Sequence, residues 1–104
     1  MVTLRDRANA LETQFAYEQS FLFCVQSRRN RLLGLWVADQ LGETDPQSFA
    51  DALCDWSIAH FSDEELITKV SQEFDRAERP LDLDGLTNRM HTLLGDVMRD
   101  MRLA

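Results

Sequence analysis

Apolar side chains spaced three and four residues apart dominate residues 17–42, and this spacing places them on one face of an α-helix. The positions on this face are Leu22, Val25, Arg29, Leu32 and Trp36, and the face is widened by Phe21, Leu33 and Leu35. Gly42 predicts the end of the helix, because glycine adopts the left-handed conformation that satisfies a helix's last carbonyl groups without strain. The pattern predicts a long amphipathic helix that begins near Tyr17 and ends at Leu41.

Start and stop signals divide the remaining chain into three shorter helices. Asp45 before Pro46 is typical of a helix start, and so is Ser62 three residues before Glu65. Pro80 predicts a stop, because the residue before a proline avoids the helical region. The predicted buried faces are Phe49, Leu53 and Trp56 in the second helix, Leu66, Val70 and Phe74 in the third, and Leu86, Met90, Leu93, Val97 and Met101 in the fourth.

Four helices with one apolar face each can bury those faces only against one another, so the sequence predicts an all-α, four-helix bundle. Its length of 104 residues suits a single domain, residues 1–104. Gly34 and Gly95 lie inside predicted helices, where glycine costs about 1 kcal/mol relative to alanine. We interpret these two glycines as the positions at which the first and fourth helices approach each other closely.

A separate, thin apolar stripe precedes the long helix, with Leu4, Ala8, Leu11 and Phe15 at steps of four, three and four residues. A helix of a dozen residues is marginal in water unless its stripe is buried. The pattern therefore predicts that residues 1–15 form a loosely held segment, attached to a bundle formed by residues 16–104. Two readings stay open: it folds into a groove on a partner, or it extends the next helix and docks on the chain's own core.

The charge of the chain is uneven and excludes several functions. Residues 1–41 contain five basic and four acidic residues, whereas the remainder contains six basic and fourteen acidic ones. Such an acidic surface would repel nucleic acid and anionic lipid. We identify no stretch suited to membrane insertion, no signal peptide and no catalytic or metal-binding motif in the sequence. We therefore expect a cytoplasmic protein that is not an enzyme. We also expect it to be monomeric when free. Cys24 and Cys54 are expected to be buried thiols.

Arginines cluster at residues 28–31, in the middle of the long helix. Arg29 falls on the apolar face and should pair there with an acidic residue. Three roles are open for Arg28, Arg29, Asn30 and Arg31: ion pairs with the later helices, contact with a partner protein, or a weak purine-nucleotide site. In such a nucleotide site arginine would meet phosphate, and Trp36 or Trp56 would stack on the base.

The run Arg-Arg-Asn-Arg-Leu-Leu-Gly-Leu-Trp at residues 28–36 resembles the signature of the zeta subunit family, inhibitors of the alphaproteobacterial F-type ATP synthase. Asp6-Arg7, the stretch from Leu11 to Phe15 and Phe21-x-Phe23 extend the resemblance towards the N-terminus. It covers essentially the whole chain and is strongest from Asp6 to Gly42. The resemblance implies a helical bundle and a regulatory role, and it agrees with the fold predicted from the residue pattern.

The resemblance also implies how such a protein would act. In this family the N-terminal segment enters the catalytic head between alpha and beta subunits, near the gamma rotor, and blocks ATP hydrolysis. The matching residues here are Leu4, Arg5, Asp6, Arg7, Ala8, Leu11, Glu12 and Phe15. The protein would then be held at the inner membrane through the ATP synthase, with no cofactor apart from a weak purine nucleotide.

The segment departs from the family pattern in being mostly uncharged where relatives are rich in Lys and Glu. Charged groups at an interface speed encounter and fix register, so this departure predicts weaker inhibition. Two alternative functions follow: a non-inhibitory bundle of the same family that binds a purine nucleotide, or an acidic protein-interaction module.

Overall fold

The computed structural model describes residues 3–60 and 62–103, and these residues form four α-helices and no strand. The helices are α1 (Leu4–Leu41), α2 (Pro46–Ala59), α3 (Asp63–Arg76) and α4 (Leu83–Leu103). The prediction of an all-α four-helix bundle is confirmed. The terminal residues of the predicted domain, and the first two of the predicted N-terminal segment, lie outside the described residues.

The first helix is longer than predicted and starts at Leu4, so the predicted start near Tyr17 was wrong. Thr3 caps it: its hydroxyl accepts from the backbone N–H of Asp6, and the Asp6 carboxylate accepts from the N–H of Thr3, both at 3.2 Å. No glycine or proline occurs between Thr3 and Leu33, so nothing in the chain interrupts the helix. The N-terminal segment and the long helix are one element.

The other helix ends follow their local signals. Gly42 has φ of 69° and closes α1, and the Asp45 carboxylate accepts from the Ser48 N–H at the start of α2, where Pro46 is the first residue. Ser62 accepts from the Glu65 N–H in the same way. The third helix ends at Arg76, four residues before Pro80, because Glu78 adopts a left-handed conformation with φ of 55°.

The core lies between the second half of α1 and the apolar faces of the other three helices. Its buried residues are Leu33, Val37, Leu41, Leu53, Leu66, Val70, Phe74, Leu86 and Met90. The predicted faces of α3 and α4 are therefore largely confirmed. In α1 the prediction is confirmed in part: Val25, Arg29 and Leu33 are buried, but Leu22 and Leu32 are 42% and 40% exposed.

Gly34 marks the place where α1 crosses α2. A β-carbon added at Gly34 would lie 2.8 Å from the Cα and 3.2 Å from the Cβ of Ala50, so glycine is needed for the two backbones to approach. At Gly95 an added β-carbon would meet nothing within 4 Å. The predicted approach of α1 and α4 at these two glycines was wrong, because the tight crossing pairs α1 with α2.

The molecule is a rod with extents of 65 × 26 × 25 Å, because the first half of α1 projects beyond the other helices. Every residue from 3 to 20 is exposed, and Phe21 is the first that is partly covered. We call residues 3–20 the arm. Its helix, from Leu4 onwards, extends about 26 Å at the standard rise per residue.

Candidate functional site

The arm carries an apolar face that the rest of the chain does not cover. Leu11 and Phe15 are 66% and 65% exposed, and Leu4 is more exposed still. With Ala8 they lie at helical spacing on one side of α1, so they form a continuous apolar stripe on a helix that is already folded. The arm extends α1, as one reading expected, but it does not dock on the chain's own core.

The polar residues predicted for this segment are also exposed. Asp6 is held by the cap at Thr3, whereas Arg5, Arg7 and Glu12 lie on the remaining sides of the helix. These exposed side chains border the apolar stripe, so the arm is an exposed amphipathic helix. Amphipathic helices of this kind commonly lay their apolar face in a groove of another protein.

Arg29 is the most buried charged residue of the predicted cluster, with 2% of its surface exposed. Its guanidinium donates from Nη2 to Asp63 Oδ1 at 2.6 Å, from Nη1 to Oδ2 at 3.4 Å, and from Nε to Asn30 Oδ1 at 2.7 Å. Asp63 opens α3, so this two-pronged pair ties α1 to the start of α3. The expectation that Arg29 pairs with an acidic residue is confirmed.

Arg31 and Arg28 lie on other sides of α1. Arg31 donates from Nε to Asp51 Oδ1 at 3.1 Å, and its Nη2 donates to Gln47, so it ties α1 to α2. Arg28 is exposed and lines a cleft of about 210 Å³ with Arg31, Leu32, Val97 and Asp100. That cleft is smaller than the range of about 300–1,000 Å³ typical of small-molecule sites.

The two tryptophans also have partners within the fold. Trp36 is partly buried, with the Arg89 guanidinium 5.4 Å from its ring centroid. Trp56 stacks on His60 at a centroid distance of 4.0 Å, and the Lys69 ammonium lies 5.7 Å from the centroid of the indole ring. Both rings are held by cation–π or stacking contacts.

The structure therefore does not gather the predicted binding residues into one site. Arg29 and Asn30 point into the bundle, Arg31 faces α2, and Trp36 lies against Arg89 of α4. Nucleotide binding by these residues stays a prediction. Its test is a purine-nucleotide titration followed by tryptophan fluorescence, in which a saturable change would support it.

The sequence analysis missed a cleft where the arm joins the bundle. The cleft, of about 590 Å³, is lined by Tyr17, Phe21 and Leu22 of α1 and by Met101 and Arg102 of α4, among others. The Arg102 guanidinium lies 5.2 Å from the centroid of the Phe21 ring. The predicted apolar positions Leu22 and Met101 were a partial signal, but the sequence alone does not place them side by side.

The cysteines differ from the expectation of two buried thiols. Cys24 is exposed, so that expectation was wrong for it, and Cys54 is partly buried. Burial is the largest cause that raises the pKa of the Cys54 thiol, whose Sγ donates to the Ser27 carbonyl at 3.5 Å. Cys54 therefore lies between α1 and α2.

The described residues also bear on metal binding and on membrane insertion. No group of three or more His, Cys, Asp or Glu side chains in residues 3–60 and 62–103 is arranged to hold a metal ion. Among the helices of that same part of the chain, none is both long enough and apolar enough to cross a membrane.

Comparison with models of protein families identifies the family of this chain. The model of a family described as ATPase inhibitor subunit zeta matches residues 1–100, nearly the whole chain. A search of curated proteins finds no match.

Proposed function

Because the chain belongs to the ATPase inhibitor subunit zeta family, we propose that its arm inserts into the catalytic head of the F-type ATP synthase and blocks ATP hydrolysis. The arm would enter at the interface between alpha and beta subunits, near the gamma rotor. The observation that carries this proposal is the uncovered apolar stripe of Leu4, Ala8, Leu11 and Phe15 on a preformed helix.

A preformed helix favours this mode of inhibition. A segment that folds only on binding must offset the entropy of ordering, which lowers its affinity for a given contact area. The arm is continuous with α1, whose second half is anchored in the core, so much of that cost is absent. A rigid helix can also transmit resistance from the bundle to a moving rotor, which a flexible tether cannot do.

The size of the apolar stripe limits how tightly the arm alone can bind. Burying Leu4, Leu11 and Phe15 contributes roughly 1.5–3 kcal/mol each, or about 5–9 kcal/mol together. Association of two proteins costs about 4–15 kcal/mol in lost translational and rotational freedom. The stripe alone therefore supports weak binding, and an effective inhibitor of this kind needs further contacts between the bundle and the head.

The proposed partner also implies where the protein would act and in which form. The chain would act as a non-enzymatic regulatory subunit in the cytoplasm, at the inner membrane through the ATP synthase, and as a monomer before it binds. Charge supports a protein partner over nucleic acid, because the residues after Leu41 contain fourteen acidic and six basic side chains.

The test is ATP hydrolysis by an alphaproteobacterial ATP synthase that lacks its own zeta subunit, titrated with this protein. Phe15→Gln removes an exposed apolar ring from the stripe, and we expect it to raise the half-inhibitory concentration about tenfold. Asn9→Gln is the matched control, because Asn9 is exposed on another side of the same helix and should leave inhibition unchanged. Equal inhibition by the two variants would refute the role of the stripe.

A further inference from the structure

The apolar stripe of the arm does not stop where the arm joins the bundle. Leu22 lies seven residues after Phe15, which is two helical turns further along the same face of α1. It is 42% exposed and lines the cleft with Met101 of α4. The stripe thus continues onto Met101 at the end of α4, which is partly buried beside it.

The end of α4 also marks an abrupt change in the thickness of the molecule. A single helix with its side chains is about 10–12 Å across, whereas the bundle measures about 26 × 25 Å in cross-section. The change occurs at Phe21, where α1 is first partly covered and the Arg102 guanidinium lies 5.2 Å from the ring centroid. A groove that admits one helix cannot also admit α4.

We propose that Phe21, Leu22, Met101 and Arg102, here called the collar, form a second contact surface that seats on the rim of the groove receiving the arm. The collar rests on the proposed function and would supply the further contacts between the bundle and the head. The occupant is the surface of the catalytic head immediately around the arm's entry, and it is apolar where it faces Leu22 and Met101. The collar fixes how deeply the arm enters, to about the 26 Å of helix that precede it.

Two observations favour this occupant over a second copy of the chain. The collar is continuous with the stripe that the proposed partner covers, so a protein that buries Phe15 and Leu22 necessarily reaches the end of α4. The net charge of −7 also disfavours self-association, since two copies would bring their acidic helices together.

The first test is photocrosslinking of the full chain to the ATP synthase. A photoreactive amino acid is placed at Arg102, which is exposed and lines the cleft, and, as a control, at Leu83, which is 52% exposed at the opposite end of the same helix. The collar predicts a crosslink to an alpha or beta subunit from position 102 and none from position 83. Absence of a crosslink from position 102, in a protein that still inhibits, overturns the collar and leaves the proposed function standing.

The second test compares Leu22→Gln with Leu32→Gln in the hydrolysis assay. The two leucines lie on the same helix with nearly equal exposure, 42% and 40%, but only Leu22 belongs to the collar. We expect Leu22→Gln to raise the half-inhibitory concentration about five- to tenfold and Leu32→Gln to leave it unchanged. Equal values for the two variants would overturn the collar. If the unaltered protein neither inhibits nor binds, the proposed function itself fails, and the collar with it.

Discussion

Replacing Gly34 with alanine should destabilise the protein, although alanine is the better helix former. Alanine is favoured over glycine by about 1 kcal/mol in a helix interior. At this position, however, the new β-carbon would lie 2.8 Å from the Cα of Ala50 in α2, against about 3.5–4.0 Å for an ordinary contact between carbon atoms. The obstacle is backbone, so one helix must move.

The magnitude follows from these two opposing effects. Forcing a methyl group into a packed helix crossing costs about 1–3 kcal/mol, because neighbouring atoms must shift by much of an ångström. Subtracting the gain of about 1 kcal/mol in helix propensity leaves a net loss of up to about 2 kcal/mol. Ala50 and Leu33 are fully buried beside the crossing, so little open space is available to relieve the overlap.

Gly95 provides the matched control within the same protein. An added β-carbon there meets nothing within 4 Å, so Gly95→Ala should raise the free energy of unfolding by up to about 1 kcal/mol. Urea denaturation followed by the fluorescence of Trp36 and Trp56 measures both changes. A Gly34→Ala variant at least as stable as the wild type would refute the reasoning, because it would show that α1 and α2 do not approach closely at this glycine.

Three further predictions concern stability. Glu78→Gly should raise the free energy of unfolding by about 0.5–1 kcal/mol in urea denaturation, because glycine relieves the left-handed conformation; a loss would contradict this. The hydrogen bond that the Asp45 carboxylate accepts from the Ser48 backbone N–H is the largest of the causes that hold the pKa of Asp45 below its ordinary value. This cap therefore stabilises α2 above about pH 4, and its contribution is lost as the pH falls further. Asp45→Asn, which does not titrate, should therefore lose less stability than the wild type between about pH 4 and pH 2 in acid titration by circular dichroism; parallel curves would contradict this. Arg29→Met should cost about 1–3 kcal/mol in thermal unfolding, and the surface change Arg31→Met less than about 1 kcal/mol, because only Arg29 is a buried guanidinium, hydrogen-bonded to both the half-exposed Asp63 and Asn30; equal losses would count against this difference.

Helix ends with a local chemical cause could be predicted from the sequence. Gly42 closes α1, Asp45 and Pro46 open α2, and Ser62 opens α3, because each acts on backbone groups only a few residues away. The end of α3 was predicted too late in the chain, because the left-handed residue that ends the helix is Glu78, and glutamate is not a residue type typical of helix ends. Local chemistry predicts boundaries well only where the residue type is selective for the conformation.

The sequence analysis separated the arm from the long helix, and the continuity of the two as α1 could not be decided from the sequence. Two amphipathic stretches meet near Tyr17 without a glycine or proline, and only tertiary contacts decide where burial begins. The same reasoning explains why the predicted face included Leu22 and Leu32, which are exposed, and omitted Val37, which is buried. Several neighbouring rows fit a helical period, and the positions of α2 and α4 determine which side chains face the core.

The candidate site, too, could be predicted from the sequence only in part. The burial and ion pairing of Arg29 could be predicted, because a charged residue on an apolar face requires a partner. Its partner Asp63 was assigned only to the start of α3, since its distance from α1 depends on how the bundle folds. The proximity of Phe21 to Arg102 likewise depends on where α4 ends, which no local pattern reveals.

The most direct test of the central claim is inhibition of ATP hydrolysis by the intact protein and by a variant that lacks residues 1–14. Both are added to an alphaproteobacterial ATP synthase without its own zeta subunit, and circular dichroism verifies that the shortened bundle is folded. The account predicts that the intact protein inhibits hydrolysis and that the folded, shortened protein does not. Equal inhibition by both proteins, or none by either, would contradict the claim that the arm is the inhibitory element.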